Sequence, residues 1–168
     1  MNITLIGMPG VGKSSIGKQL AKSLQFTFLD SDHIIEKTAK MSLQQIIDLD
    51  GEAAFLDLEK KTIINLGDID NYVLCPGGSV VYSDEAMLFL KKHSLIVFLD
   101  KKLENIKAQI PDIAMRGIIG LKGMSLQDLY IQRRPLYEKY ADISLKLSSN
   151  SDVLVHSKEI IAAILKHN

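Results

Sequence analysis

The sequence has little that is typical of secreted, membrane-spanning or nucleic-acid-binding proteins. Only one of its 168 residues, Cys75, is a cysteine, which excludes an internal disulfide and is typical of a reducing compartment. Its 20 basic and 20 acidic residues cancel, so the basic excess of nucleic-acid and membrane-surface binders is missing. No apolar run approaches membrane-spanning length, and a strand pattern starts at Asn2 with no signal peptide before it. We therefore expect a cytoplasmic protein.

Internal repeats, low-complexity tracts and obvious linkers are also missing. A chain of this length, with 46% hydrophobic and 24% charged residues, is typical of one globular domain that buries a proper core. We predict a single domain over residues 1–168. We expect it to act as a monomer without nucleic-acid or membrane partners.

Apolar runs alternate with helical patterns along the chain. Runs typical of buried strands occupy residues 2–6, 26–29, 72–75, 95–99 and 143–147. Helical patterns occupy residues 14–25, 32–39, 43–49, 52–66, 83–92, 102–108, 125–139 and 157–167. Ser42 and Gln45 form a plausible capping box before the third of these helices. The alternation predicts a three-layer α/β/α fold around a five-stranded parallel sheet, in which ligands bind beyond the carboxyl ends of the strands.

Residues 7–14 (Gly-Met-Pro-Gly-Val-Gly-Lys-Ser) fit the phosphate-binding P-loop pattern between a predicted strand and a predicted helix. Glycines let backbone N–H groups converge on phosphate oxygens, and the helix places its positive end against the anion. Lys13 adds a mobile cation for the β- and γ-phosphates, and the Ser14 hydroxyl suits a Mg²⁺ shell. A chance glycine-rich turn is the alternative, which the flanking elements disfavour. The candidate nucleotide-binding residues are Gly10, Val11, Gly12, Lys13, Ser14 and Ser15.

Carboxylates follow the second predicted strand, and glycines follow the third. Asp30 and Asp32 alternate along the chain, so one can join a Mg²⁺ shell while the other orients an incoming hydroxyl or accepts its proton. The alternative is that Asp32 only caps the helix starting at His33. Gly77 and Gly78 can admit a substrate close to backbone N–H groups, or they can form an ordinary turn.

A glycine-punctuated segment at approximately residues 110–124 follows the fourth strand and is typical of a mobile lid. Its Arg116 can stabilise a phosphate during phosphoryl transfer, or it is simply a solvated charge. Arg133 and Arg134 lie before Pro135, which would bend or interrupt their helix, and one of these arginines can face the pocket. The four histidines have no metal-ligand spacing.

In this order the residues resemble the shikimate kinase family, within the P-loop kinases that are similar to nucleoside monophosphate kinases. The resemblance covers nearly the whole chain and rests on the P-loop, Asp30-x-Asp32, Gly51-Glu52-x-x-Phe55-x-x-x-Glu59, Gly77-Gly78, Val97-Phe98-Leu99, Arg116, Arg133-x-Pro135-Leu136-Tyr137 and Ala141-Asp142. It implies phosphorylation of a ring hydroxyl of shikimate by ATP with Mg²⁺, in aromatic amino acid biosynthesis.

The resemblance also assigns roles to individual residues. It implies that Asp30 and Ser14 bind Mg²⁺ and that Arg116 clamps a phosphate. The implied catalytic residues are Lys13, Asp32 and Arg116. A helical region at about residues 32–60 would contribute to substrate binding. The implied substrate-binding residues are Asp32, Gly77, Gly78, Ser79 and Arg133. Of these, Arg133 would bind the substrate carboxylate.

The chain departs from the family pattern at Leu56, where the family has an arginine that helps to hold the substrate carboxylate. Ser79 occupies the position of the family's third glycine, and Gln109 that of an arginine beside the adenine. In the lid, Arg116-Gly117-Ile118 replaces the family's Arg-Pro-Leu. Losing the arginine would weaken acceptor binding by about 2–4 kcal/mol unless Lys60 or Arg134 compensates.

Three functions therefore stay open on the sequence alone. The first is a shikimate kinase, and the second is a kinase of a related polyol or cyclitol without a carboxylate. The third is a non-catalytic nucleotide-binding protein.

Overall fold

Strands and helices alternate throughout the chain in the computed structural model, which describes residues 1–109, 118–120, 123–148 and 152–167. The strands are β1 (Ile3–Ile6), β2 (Thr27–Asp30), β3 (Tyr72–Cys75), β4 (Leu95–Asp100) and β5 (Ile143–Lys146). The helices are α1 (Lys13–Leu24), α2 (Ser31–Ala39), α3 (Leu43–Ile64), α4 (Asp84–His93), α5 (Leu103–Gln109), α6 (Leu126–Tyr140) and α7 (Val153–His167). A short 3₁₀-helix lies at Val80–Tyr82.

The five strands form one parallel sheet in the order β2-β3-β1-β4-β5. In register, Ile3 lies between Val73 and Leu95, and Asp30 lies opposite Cys75. Because all the strands are parallel, their carboxyl ends lie along one edge of the sheet. The P-loop, Asp30 and the turn after β3 therefore share that edge.

Alternate residues of the central strands enter two different cores. Leu5, Val73 and Val97 pack with residues of α1 and α7, whereas Ile6 and Leu74 pack with residues of α4 and α6. This alternation follows from the two-residue period of a strand, and it places helices on both faces of the sheet. The predicted three-layer α/β/α fold is confirmed. No helix among the described residues is long and apolar enough to cross a membrane.

A third apolar cluster, formed mainly by α2 and α3, lies beside the candidate site. The capping box of Ser42 and Gln45 is present at the start of α3. Gly51 interrupts α3 with φ 84° and ψ 167°, at the position where the sequence pattern predicts two separate helices. Such a left-handed backbone favours glycine, so Gly51 sets the bend in this wall of the site.

Two helices show where local side chains matter. Helix α6 agrees with its predicted bounds within one residue and continues through Pro135 without interruption, and the carbonyl that loses its partner belongs to Ile131, which is exposed. Helix α7 begins at Val153, four residues before its prediction, because the Asp152 carboxylate accepts a hydrogen bond from Val155 N–H and caps the first turn.

Candidate active site

The P-loop joins β1 to α1 with its backbone in glycine-favouring conformations. Gly10 and Gly12 have φ values of 77° and 104°, and a Cβ at Gly7 would stand 2.8 Å from the Leu99 carbonyl oxygen. Gly12 is the N-cap of α1 and supplies no capping side chain. The first N–H groups of α1 therefore stay available for an anion at the positive end of the helix.

The ammonium group of Lys13 lies folded back over the P-loop. Its Nζ donates to the carbonyl oxygens of Gly7 at 2.9 Å and Met8 at 3.2 Å. Burial lowers the pKa of Lys13 below its usual value, and the nearby Asp32 carboxylate opposes this shift. A bound phosphate would add the negative charge that favours the ammonium form.

Ser14 and Asp30 bring two hard oxygen atoms together. The Ser14 hydroxyl donates to Asp30 Oδ2 at 2.8 Å. The other oxygen, Asp30 Oδ1, accepts hydrogen bonds from the backbone N–H groups of Asp32 and His33. Asp30, rather than Asp32, is thus the N-cap of α2, and this helix fixes the position of the carboxylate.

Asp32 and Glu59 each present a buried carboxylate oxygen, Oδ1 and Oε1 respectively, that has no hydrogen-bond partner in the part of the chain that the structure describes. Both atoms lie within 3.0 Å of the point that a Cβ would occupy at Gly77, so a side chain there would collide with them. Burial and the neighbouring Asp30 raise the pKa of Asp32 to about 6, against the effect of Lys13. Burial raises the pKa of Glu59 to about 7, although a hydrogen bond from Ser79 opposes the shift.

The loop of residues 76–79, which follows β3, is held by three helices. Gly77 N–H donates to the Ser31 hydroxyl of α2, and the Tyr137 hydroxyl of α6 donates to the Gly78 carbonyl at 2.6 Å. The Ser79 hydroxyl donates to Glu59 Oε2 of α3 at 2.8 Å. These bonds fix the glycines relative to the P-loop.

The two adjacent arginines of α6 have different surroundings. Arg133 is 1% exposed, and its Nε and Nη2 donate to the Tyr82 hydroxyl and the Ile119 carbonyl, respectively. Its Nη1 lies 3.2 Å from the point that a Cβ would occupy at Gly78. Arg134 forms a two-point pair with Asp100 of β4. Arg133 is therefore the arginine that faces the site.

One cavity of about 730 Å³ extends from the P-loop to the 76–79 loop and Arg133. The predicted site residues that line it are Gly10, Val11, Gly12, Lys13, Ser14, Ser15, Asp30, Asp32, Gly77, Gly78, Ser79 and Arg133. Arg116 and most of the predicted lid lie outside the described residues. Sequence reasoning missed Lys101 and His156, which also line the cavity. Lys101 directly follows β4, so the rule for strand ends could have found it.

Known proteins resemble this chain over nearly its whole length. A family model described as shikimate kinase matches residues 9–167. The chain is 32% identical over 167 residues to the shikimate kinase of Caldanaerobacter subterraneus subsp. tengcongensis, covering 98% of this chain and 96% of the relative. It is 35% identical to shikimate kinase 1 of Enterobacter sp. (strain 638), with 95% and 94% covered. The chain belongs to the shikimate kinase family.

A solved structure extends the likeness to the whole fold. The shikimate kinase from Acinetobacter baumannii, in complex with shikimate, matches with a TM-score of 0.91 and 28% identity, over 99% of this chain and 94% of that chain. As a shikimate kinase family member, the protein is an ATP-dependent phosphotransferase with a hydroxyl acceptor. The non-catalytic alternative thereby loses its support.

The sequence offers Lys60 and Arg134 as substitutes for the family arginine that Leu56 replaces. In this shikimate kinase fold, neither cation takes the place of that arginine. The Leu56 side chain packs against the apolar cluster of α2 and α3. Lys60 pairs with Asp57 at 3.1 Å and Glu85 at 3.4 Å, and Arg134 is held by Asp100 as described above. Neither compensates for Leu56 in this structure.

Proposed function

We propose that the protein transfers the γ-phosphoryl group of Mg-ATP to a ring hydroxyl of shikimate, giving shikimate 3-phosphate and ADP. The observation that carries this proposal is a single cavity joining a P-loop to Asp32, the glycines of the 76–79 loop and Arg133. Phosphoryl transfer needs this arrangement, because the acceptor hydroxyl must lie in line with the γ-phosphate.

The nucleotide would occupy the P-loop side of the cavity. The N–H groups of residues 10–15 would bind the phosphates, and Lys13 would move from the Gly7 and Met8 carbonyls onto the β- and γ-phosphate oxygens. Gln109 and His156 line the same cavity. Arg116 remains a proposed phosphate clamp on the strength of the family resemblance.

The donor set of Ser14, at the start of α1, and Asp30, at the start of α2, fits a magnesium ion. The Ser14 hydroxyl and Asp30 Oδ2 are hard oxygen atoms 2.8 Å apart, and Mg²⁺ is commonly held by one or two such protein ligands together with nucleotide phosphates and waters. When bound, the ion would neutralise part of the phosphate charge.

Asp32 would orient the acceptor hydroxyl. Its Oδ1 has no hydrogen-bond partner among the described residues, and a pKa of about 6 leaves the carboxylate largely ionised above neutral pH. As the acceptor oxygen bonds to the γ-phosphorus, the bond to the leaving oxygen of ADP breaks and the hydroxyl proton passes to Asp32. Gly78 would contact the acceptor, and Arg133 would bind its carboxylate.

A coupled assay of ADP release tests the proposal. With Mg-ATP and shikimate at about millimolar concentration, in the usual range of KM values, we expect ADP release well above the rate without acceptor. Turnover that does not rise above the acceptor-free rate would reject shikimate as the substrate.

A related acceptor without a carboxylate is the second candidate, and Leu56 is the observation that favours it. Among the described residues, Arg133 would face the carboxylate without help from Lys60 or Arg134, because both of these cations are paired with other carboxylates. Shikimate and its neutral carboxamide analogue distinguish the candidates in the same assay. A lower KM for shikimate supports a carboxylate grip by Arg133, whereas a lower KM for the carboxamide supports the second candidate.

A further inference from the structure

One peptide group beside the site is bound on both sides by charged side chains. The carbonyl oxygen of Ile119 accepts a hydrogen bond from Arg133 Nη2 at 2.7 Å. The N–H of Gly120 donates to Glu52 Oε1 at 2.8 Å. These two atoms belong to the same planar peptide unit, so Glu52 and Arg133 are connected through a single rigid group.

Packing also restrains this peptide group. Ile119 is 5% exposed and packs in the apolar cluster with Phe55. Gly120 has φ +86°, and a Cβ there would stand 2.9 Å from Leu129 Cδ2. Glu52 follows the bend at Gly51, which ends the first segment of α3. The backbone bend therefore places Glu52 at the start of the second segment of α3.

The two bonds reinforce each other electrostatically. A carboxylate on the N–H and a guanidinium on the C=O polarise the peptide in the same sense, which strengthens a hydrogen-bonded chain. Arg133 also donates from Nε to the Tyr82 hydroxyl. With Nε and Nη2 engaged on one side, Nη1 is directed towards Gly78 and the cavity.

We infer that Glu52 is a positioning residue that holds the Ile119–Gly120 peptide so that Arg133 presents Nη1 to the acceptor. The inference rests on the proposed function, in which Arg133 binds the acceptor carboxylate. It gives the acidic residue of the Gly51-Glu52 motif a role without substrate contact. The role matters more in this chain because neither Lys60 nor Arg134 supplies a second cation.

Three variants at Glu52 and Glu36 separate positioning from general stabilisation. Glu52→Ala removes the acceptor of the Gly120 N–H, and we expect the KM for shikimate to rise about tenfold while the KM for ATP changes less than about twofold. Glu52→Gln keeps an oxygen in place, so its KM should return to within about threefold of the parent value. Glu36→Ala is the matched control, because Glu36 Oε1 accepts from Leu43 N–H at 3.2 Å without touching Arg133. Equal rises in both KM values, or a similar effect from Glu36→Ala, would overturn the inference.

A double-mutant cycle with Arg133→Met tests whether Glu52 acts through Arg133. In that background, Glu52→Ala should leave the already raised KM for shikimate unchanged.

Urea unfolding of the same variants without ligand supplies a second measurement. The losses of unfolding free energy caused by the Glu52 and Arg133 substitutions should be non-additive, even if shikimate proves not to be the acceptor. If Arg133→Met does not fold, Arg133→Lys takes its place in both cycles. Additive effects on unfolding, or an unchanged Glu52→Ala effect on KM in the Arg133 variant, would contradict the inference. A parent enzyme that does not turn over shikimate would reject the proposed function, and the unfolding cycle would still decide the role of Glu52.

Discussion

The Ser79 hydroxyl donates to Glu59 Oε2 at 2.8 Å and so ties the 76–79 loop to α3. The other oxygen, Oε1, is buried and accepts no hydrogen bond from any residue that the structure describes. Burial raises the pKa of Glu59 from 4.5 to about 7, despite the hydrogen bond from Ser79. The 76–79 loop is thus held by a carboxyl group whose charged form is disfavoured.

This shift predicts how stability depends on pH. Between the usual pKa of 4.5 and the folded value of about 7, the folded protein holds a proton that the unfolded chain has released, so stability falls as the pH rises through this window. Glu59→Gln removes the titrating group and should gain up to about 3 kcal/mol relative to the parent between about pH 4.5 and about pH 7.5. Urea unfolding without ligand measures the difference. A difference that stays constant with pH would contradict the shift.

Lys13→Met should abolish most of the activity without unfolding the protein. The variant loses the cation proposed for the β- and γ-phosphates, and we expect kcat to fall by about 10³-fold or more. The unfolding midpoint should change little, because burial already disfavours the ammonium and methionine fills a similar volume. A loss of stability as large as the loss of activity would instead indicate a structural role.

Asp30→Asn separates the two roles of Asp30. Asparagine caps helices about as well as aspartate, so α2 should keep its stability. The lost charge should raise the Mg²⁺ concentration for half-maximal activity by about tenfold. Magnesium titrations of the parent and the variant provide the measurement. Asp30→Ala, which removes the cap as well, is the comparison, and an unchanged Mg²⁺ requirement in Asp30→Asn would rule out the metal role.

Leu56→Arg should strengthen the binding of an acceptor carboxylate. A second guanidinium would add a charge-assisted contact and lower the KM for shikimate by about 30-fold, while the KM for the carboxamide analogue should stay the same. Leu56→Met keeps the side chain neutral at similar volume and is the control. A variant that improves both acceptors equally would count against a carboxylate contact at this position.

The P-loop, Asp30 and the glycines after β3 could be placed from the sequence because their signals are local. Each follows a strand, and a parallel sheet brings strand ends to one edge. The fold class followed from the same alternation. Helix bounds were less accurate where a side chain decides them, as Asp152 does for α7.

Contacts between distant elements could not be predicted in the same way. Arg133 and Arg134 are neighbours of the same chemistry, and the pair of Arg134 with Asp100 shows in the structure which one turns away. The unpartnered oxygens of Asp32 and Glu59 likewise depend on the approach of α2, α3 and the 76–79 loop. Such relationships arise from tertiary packing, which leaves no periodic trace in the sequence.

The destination of the γ-phosphoryl group tests the central claim most directly. The protein would be incubated with γ-³²P-labelled ATP, Mg²⁺ and shikimate, and the labelled products would be separated by ion exchange. We predict that the label appears in a phosphate ester of shikimate in amounts equal to the ADP formed. Label that stays in ATP, or that appears only as inorganic phosphate, would contradict the account.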